Sequence, residues 1–374
     1  MVLMPDPERT RRRVGLALYL IGLSFGGLLL FLTFVGIPVA TGQFGMLGLM
    51  CIGAVLALPA GAAYLTIPRL LDRYDPEPWY ALIACLVWGG IAATGYSAVI
   101  NTLVSSLIGG STGELVATVV SAPIVEEGFK GLAIFGVAYF LRREFDGVVD
   151  GIIYATFTAI GFAAIENVIY YARAAGHDAL GMTFVIRGLI APWGHPVYTS
   201  MTGIGFGVAR ETRSSVLRWT APLLGYFGAV ALHAIWNGSA AISDGLGEGG
   251  GAFFVCMLPV WLLFVLVFLV LVIFLVRRRG RIIREYLADE VALGNLTTDE
   301  VDLVCSAFGL LQARSRYGKT GVLFVRAAAR LALSKWHTVR AQDTQNSTVS
   351  MGFIVPLRQR LAELRAQMQS GARR

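Results

Sequence analysis

The stretch "SAPIVEEGFKGLAIFGVAYF", Ser121 to Phe140, sets two adjacent carboxylates and an ammonium inside an apolar run. Glu126 and Lys130 stand four apart and Glu127 and Lys130 three apart, so on a helix both carboxylates neighbour the one ammonium. A desolvated carboxylate pair beside a fixed cation is the kind of group that gives and takes a proton in catalysis. Three later apolar stretches repeat the theme. "GFAAIENVIY" places Glu166 four after Phe162, with Asn167 beside it; "PWGHPVYTSM" places His195 four before Thr199; "LHAIWNG" places His233 four before Asn237. Carboxylates with histidines and an asparagine can activate water, donate to a developing oxyanion or ligate a metal ion.

The elements that must carry these groups are membrane helices. The 374 residues are 56% hydrophobic and 15% charged, with a mean hydropathy of +0.66, which excludes a soluble globular protein. Apolar stretches of about 20 residues, the length that spans a bilayer, occur about eight times: near 14–36, 45–67, 79–108, 115–141, 151–171, 182–209, 217–242 and 253–276. The first is too long and evenly apolar for a signal peptide, although arginines precede it. The expected fold is all-α, a polytopic bundle of about eight transmembrane helices in residues 1–276, with the catalytic core at about 115–238. Residues 277–374 read as a cytoplasmic tail of amphipathic helices that lies on the bilayer through its arginines, with Thr297 and Glu300 at capping-box spacing.

Basic residues fall before the first stretch and in alternate loops (Arg69 and Arg73, Arg142 and Arg143, Arg210, Arg213 and Arg218) and again after the last stretch. The opposite loops carry Glu114, Asp178, Asp244 and Glu248, with Arg173 as the exception. The positive-inside rule then puts both termini in the cytoplasm of a cell with this chain in its plasma membrane, and explains the net charge of +7 without nucleic acid. Cys51, Cys85, Cys256 and Cys305 have no pairing or zinc spacing. Ser200, Gly203 and Gly207 are spaced for close helix packing. Asp146 and Asp150, flanking a cytoplasmic turn, read as solvated.

A charge placed in hydrocarbon costs at least a few kcal/mol and must be paired or wet. Any one of these residues reads equally well as a helix-to-helix staple or a satisfied core histidine, but the set does not. Counted from the outer end of each stretch, Glu126, Glu166, His195 and His233 lie about 12, 7, 12 and 9 residues in, a common band roughly 10 to 18 Å deep. Pro123, Pro192 and Pro196 loosen the backbone around it.

Taken together, EExxK (Glu126, Glu127, Lys130), FxxxE (Phe162, Glu166), His195 and HxxxN (His233, Asn237) resemble the PrsW family of intramembrane proteases, relatives of the CAAX-prenyl endopeptidases and bacteriocin-processing proteins. The resemblance covers 115–238 and implies cleavage of a membrane-anchored protein substrate, such as an anti-sigma factor, near the external membrane boundary. It implies catalytic roles for Glu126, Glu127, Lys130, Glu166, His195, His233 and Asn237. Zn2+ held by His195, His233 and Glu166 and a metal-free glutamate mechanism both remain open, because HExxH is absent and the prenyl endopeptidases carry FxxxH where this chain has Phe162 and Glu166. A proton- or cation-coupled transporter and a membrane scaffold are the rival readings; the first predicts inverted repeats, and none is visible.

Overall fold

The structure is a computed structural model and describes residues 7–72, 74–247, 250–343 and 351–371. Arg73 and Glu248, counted above among the loop charges, lie outside the described residues. Every regular element among the described residues is helical, as the hydropathy pattern predicts. Eight helices cover the expected stretches: α1 (Glu8–Ala40), α2 (Phe44–Leu71), α3 (Trp79–Ile108), α4 (Ala122–Phe140), α5 (Val148–Ala175), α6 (Gly194–Glu211), α7 (Ser215–Gly245) and α8 (Gly250–Ala292). Of these, α1, α2, α3, α5 and α8 are long and apolar enough to cross a membrane by length and composition. The other three carry three of the four polar motifs, with Glu126, Glu127 and Lys130 on α4, His195 on α6 and His233 on α7, while Glu166 is on α5. The protein is an all-helical integral membrane bundle.

Two expectations are corrected. The stretch 182–209 is not one helix: a π-helical turn, Val185–Ile190, ends at Ala191, and α6 starts only at Gly194. Pro192 explains the break, since it lacks an N–H and pushes the residue before it out of the helical region. Asp150 is not solvated. It is 1% exposed, and its Oδ2 accepts the backbone N–H groups of Asp146 (2.7 Å) and Gly147 (3.1 Å), closing the first turn of α5.

The first compact unit comprises Met1–Leu70 and Glu77–Leu269. Its centre is α5, whose residues from Val148 to Phe162 are buried almost without interruption. Close approach of α5 to α6 depends on glycine at two facing positions. A Cβ on Gly151 would stand 2.1 Å from the carbonyl oxygen of Gly203, and one on Gly203 would stand 2.2 Å from that of Gly151. The backbones touch there, in the manner of small-residue packing in bilayers. The cysteines are free, and Cys85 packs in a core with Ile134, Tyr154 and Phe157.

The second unit comprises Leu71–Pro76 and Val270–Arg374. It holds the end of α8, α9 (Thr298–Cys305), α10 (Gly309–Asp343) and α11 (Met351–Gly371). The boundary falls inside α8, whose helical residues include "RRRGRIIREYLADEVA". Leu287, Val301, Phe324, Ala328, Leu331 and Leu364 form a core of its own. The capping box forms as the spacing predicts, with Thr297 Oγ1 accepting the Glu300 N–H at 3.2 Å and Glu300 Oε2 accepting the Thr297 N–H at 2.7 Å. Several of its cations are tied within the unit: buried Glu290 receives Arg358 at 2.7 Å and Lys335 at 2.8 Å, and Arg365 meets Glu300 at 2.9 Å. Removing Glu290 takes the buried partner from both cations and leaves them only the half-exposed Asp289. In the full-length protein, Glu290→Ala should therefore lower the local stability of α10 and α11 by about 2–3 kcal/mol, toward the cost of breaking a buried ion pair. Faster amide hydrogen exchange confined to those helices would show this, whereas Arg360→Ala, on the exposed face, should stay within about 0.5 kcal/mol of wild type.

Candidate active site

Lys130 is the hub. Its ammonium is fully buried, donates to Glu127 Oε1 at 2.8 Å, stands 3.6 Å from Glu126 Oε2 and lies 3.9 Å above the Phe162 ring. Nδ1 of His195 is 3.0 Å from the same nitrogen. An ammonium only donates, so Nδ1 accepts, and the ring hydrogen sits on Nε2, which faces Glu166 Oε2 at 2.9 Å. Glu166 is in turn bonded by Arg187, whose Nε donates to Asn167 Oδ1 at 2.7 Å and whose guanidinium covers the Tyr170 ring at 3.7 Å. One chain of contacts thus ties α4, α6, α5 and the π turn before α6.

The two adjacent glutamates have different surroundings. Glu127 is wholly buried and its oxygens are fully engaged: beside Lys130, it accepts from Thr199 Oγ1 at 2.8 Å and stands 3.1 Å from His233 Nδ1. A carboxylate only accepts, so His233 carries its hydrogen on Nδ1 and leaves Nε2 as a lone pair, 3.9 Å from Glu126 Oε2. That oxygen of Glu126 is buried and has no hydrogen-bond partner. Glu126, His195, His233 and Asn237 line a cavity of about 300 Å3 together with Phe162, Glu166 and Tyr198. The Tyr198 hydroxyl is also buried without a partner, on a ring stacked against His233 at 5.2 Å between centroids.

All seven residues singled out by spacing therefore belong to one neighbourhood, with distinct placements. Glu126, Glu127, Lys130, His195 and His233 converge. Glu166 reaches the group through His195, while Asn237 lines the cavity and donates to the Thr118 carbonyl at 2.9 Å. Among the described residues, the three groups whose ligand atoms all lie within 4.8 Å of one another are Glu126, His195 and His233. Two residues escaped the sequence reading, Arg187 and Tyr198, and a third, Thr199, was noted only for its spacing. Arg187 had a legible signal, a lone cation inside an apolar run. Thr199 stands one turn after His195 on the same face. Tyr198 had none, since an aromatic in an apolar helix reads as core.

Carboxylates and histidines around one cavity inside an all-helical membrane bundle are a set that can activate water, as an intramembrane hydrolase requires. Residues 77–273 match the sequence profile of the PrsW family intramembrane metalloproteases. Protease PrsW of Geobacillus kaustophilus is 26% identical over 203 residues, which cover 54% of this chain and 84% of the relative. The Clostridioides difficile protein of that name is 36% identical over 136 residues, 36% of this chain and 56% of the relative. That of Bacillus subtilis is 24% identical over 210 residues, 56% and 85% respectively. No solved structure matches. The chain belongs to the PrsW family and is an intramembrane protease, a peptidase.

The unequal surroundings of the two glutamates make a prediction about stability alone. Glu127→Ala leaves Lys130 and Thr199 without their carboxylate in the bundle interior and should cost about 3–5 kcal/mol. Glu126→Gln keeps the shape and removes no hydrogen bond, so it should melt within a few degrees of wild type. Thermal unfolding of the purified variants in lipid nanodiscs reads the difference; equal losses would contradict it.

Proposed function

We propose that the chain cuts a peptide bond of a membrane-anchored protein with a water activated by Glu126. The carrying observation is the buried Glu126 oxygen that lines the cavity without a hydrogen-bond partner. Glu127 suits that role poorly, because its oxygens already face Lys130, Thr199 and His233. In the proposed reaction Glu126 takes a proton as the water oxygen attacks the carbonyl carbon, and returns it to the amide nitrogen as the C–N bond breaks. The lone pair of His233 Nε2 holds the water's other hydrogen, oriented by the bond from Nδ1 to Glu127. Lys130 fixes Glu127 and His195, and Glu166 fixes the far side of His195.

The oxyanion needs a donor already in place. Lys130 is engaged by Glu127 and His195, His195 Nε2 by Glu166, His233 Nδ1 and Thr199 by Glu127, and Arg187 by Glu166 and Asn167. The Tyr198 hydroxyl and the second N–H of Asn237, on the cavity wall that carries His195 and His233, are open, and we assign the oxyanion to them.

A metal ion fits the same groups. Two imidazoles and a carboxylate with mutually close donor atoms are a zinc set with room for water, and Glu126 Oε2 is unengaged. Glu126, His195 and His233 would hold it, His195 giving up one of its present contacts. Zinc bound there would supply a Lewis acid that makes the water more acidic.

The substrate we favour is a single-span protein, such as an anti-sigma factor, cut near the external boundary of the plasma membrane, with both termini of the protease in the cytoplasm. The alternating arginine-rich loops and the shared depth of the polar groups support this.

Purified full-length protein acting on fluorogenic single-span substrates tests the reading. Glu126→Gln should lower kcat/KM by about 10³ or more, and Tyr198→Phe should lower kcat by about 10²–10³ with KM nearly unchanged; Glu126→Gln with wild-type activity would sink the proposal. Elemental analysis before and after chelation decides the metal. One zinc per chain, lost with activity and regained with it, assigns the ion, whereas full turnover without metal leaves the water to Glu126 alone.

A further inference from the structure

The described chain has four π-helical turns, Leu32–Gly36, Trp88–Ala93, Ala117–Ser121 and Val185–Ile190. All four border the cavity that holds Glu126: Thr33, Thr118 and Arg187 line it from inside three of them, and Thr94 lines it directly after the fourth. Such turns gather at functional sites because they displace backbone groups from the regular ladder. From Glu126 the cavity runs along one face of α3, where Thr94, Ser97, Ala98, Asn101 and Thr102 line it at helical spacing. A hydroxyl and amide stripe along an apolar helix calls for an occupant that can bond to it.

The threonines of that stripe are satisfied within their own helix, Thr94 by the Gly89 carbonyl at 3.1 Å and Thr102 by the Ala98 carbonyl at 2.7 Å. The other two are not. Ser97 is 2% exposed and its hydroxyl has no partner. Asn101 uses its carbonyl oxygen to accept from Ser121 at 2.8 Å, which leaves its amide hydrogens without a partner among the described residues. Two open donors therefore stand one turn apart on one face. Four residues of helix rise about 6 Å, close to the roughly 6.6 Å that separates every second carbonyl of an extended chain.

The levels also agree. Asn101 meets Ser121, and Trp88 donates to the Phe129 carbonyl at 2.8 Å, so α3 and α4 run antiparallel. From the first contact, Glu126 lies five residues along α4 and Ser97 four residues back along α3, about 7.5 and 6 Å in the same direction. Ser97 is thus level with Glu126, and Asn101 is one turn away from it.

We propose that Ser97 and Asn101 form a subsite for an unwound, extended stretch of the substrate, donating to two of its carbonyl oxygens two residues apart beside the bond held at Glu126. This rests on the protease reading of the Glu126 site. A membrane helix can be cut only where its carbonyls release their own N–H groups, and in hydrocarbon a released carbonyl needs another donor. Ser97 and Asn101 supply it.

The test is an ester scan. In a synthetic single-span substrate, each amide near the cut is replaced in turn by an ester, whose carbonyl is a weaker acceptor, and kcat/KM is measured with full-length wild type, Ser97→Ala and Asn101→Leu. With wild type, two positions spaced by two residues should each cost about tenfold, one hydrogen bond's worth. Asn101→Leu should lose about tenfold on the all-amide substrate and be insensitive to the ester at one position, Ser97→Ala at the other; Ser97→Thr, which keeps the hydroxyl, should retain full sensitivity. Ester costs that are the same in all enzymes at every position overturn the subsite while the protease reading stands. A wild type that cuts none of the substrates overturns both.

Discussion

The site depends on pairing one ammonium that the bundle encloses completely. Lys130 is fully buried, and a lone cation there would be too costly for the bundle to retain. Its donors reach Glu127 and His195, its charge also faces Glu126, and its remaining surface lies on the negative face of the Phe162 ring. Those partners come from α4, α5 and α6, so three helices are held in one register by a single charge. The tautomers follow in turn. Because Lys130 donates to His195 Nδ1, the hydrogen of that ring faces Glu166; because Glu127 is held ionised by Lys130, the hydrogen of His233 faces Glu127.

That register requires backbones to approach more closely than side chains normally allow. Gly151 and Gly203 let α5 and α6 touch, which carries Glu166 and His195 toward each other from different helices. The chain before α6 breaks at Pro192, and Arg187 in the π turn ahead of the break meets Glu166 and Asn167. Helix breaks at this depth are tolerated where they line a cavity, and this one does.

Membrane class, helical fold and most of the site were legible because a polar residue in an apolar run has few innocent explanations. The EExxK spacing alone puts Glu127 against Lys130, and the four motifs name side chains that do meet. Local pattern could not give the division of labour between Glu126 and Glu127. Nothing in their shared dipeptide says that Thr199 and His233, 72 and 106 residues away, both approach Glu127. It could not reveal Tyr198 either, whose buried hydroxyl is left unpartnered by its neighbours in the folded bundle. Asp150 was misread for the opposite reason: a loop aspartate is usually wet, and only the folded turn shows its carboxylate closing the start of α5.

The balance of charge supports the proposed choice of Glu126 as the base. Lys130 and Glu127 form one hydrogen-bonded pair, and Arg187 and Glu166 another. Changing the protonation of either carboxylate would strand a cation inside the bundle, so both pairs are fixed features of the fold. Glu126 is the third carboxylate, without a hydrogen-bonded cation of its own, and its free oxygen borders the cavity. It can gain and lose a proton while both pairs stay intact, which is what a turnover demands of a general base. Each buried polar group calls for a partner, and among the groups left open several line the cavity of Glu126: Glu126 itself, Tyr198, Ser97 and the amides of Asn101 and Asn237. They share one cavity, and a bound substrate is the partner that would complete them.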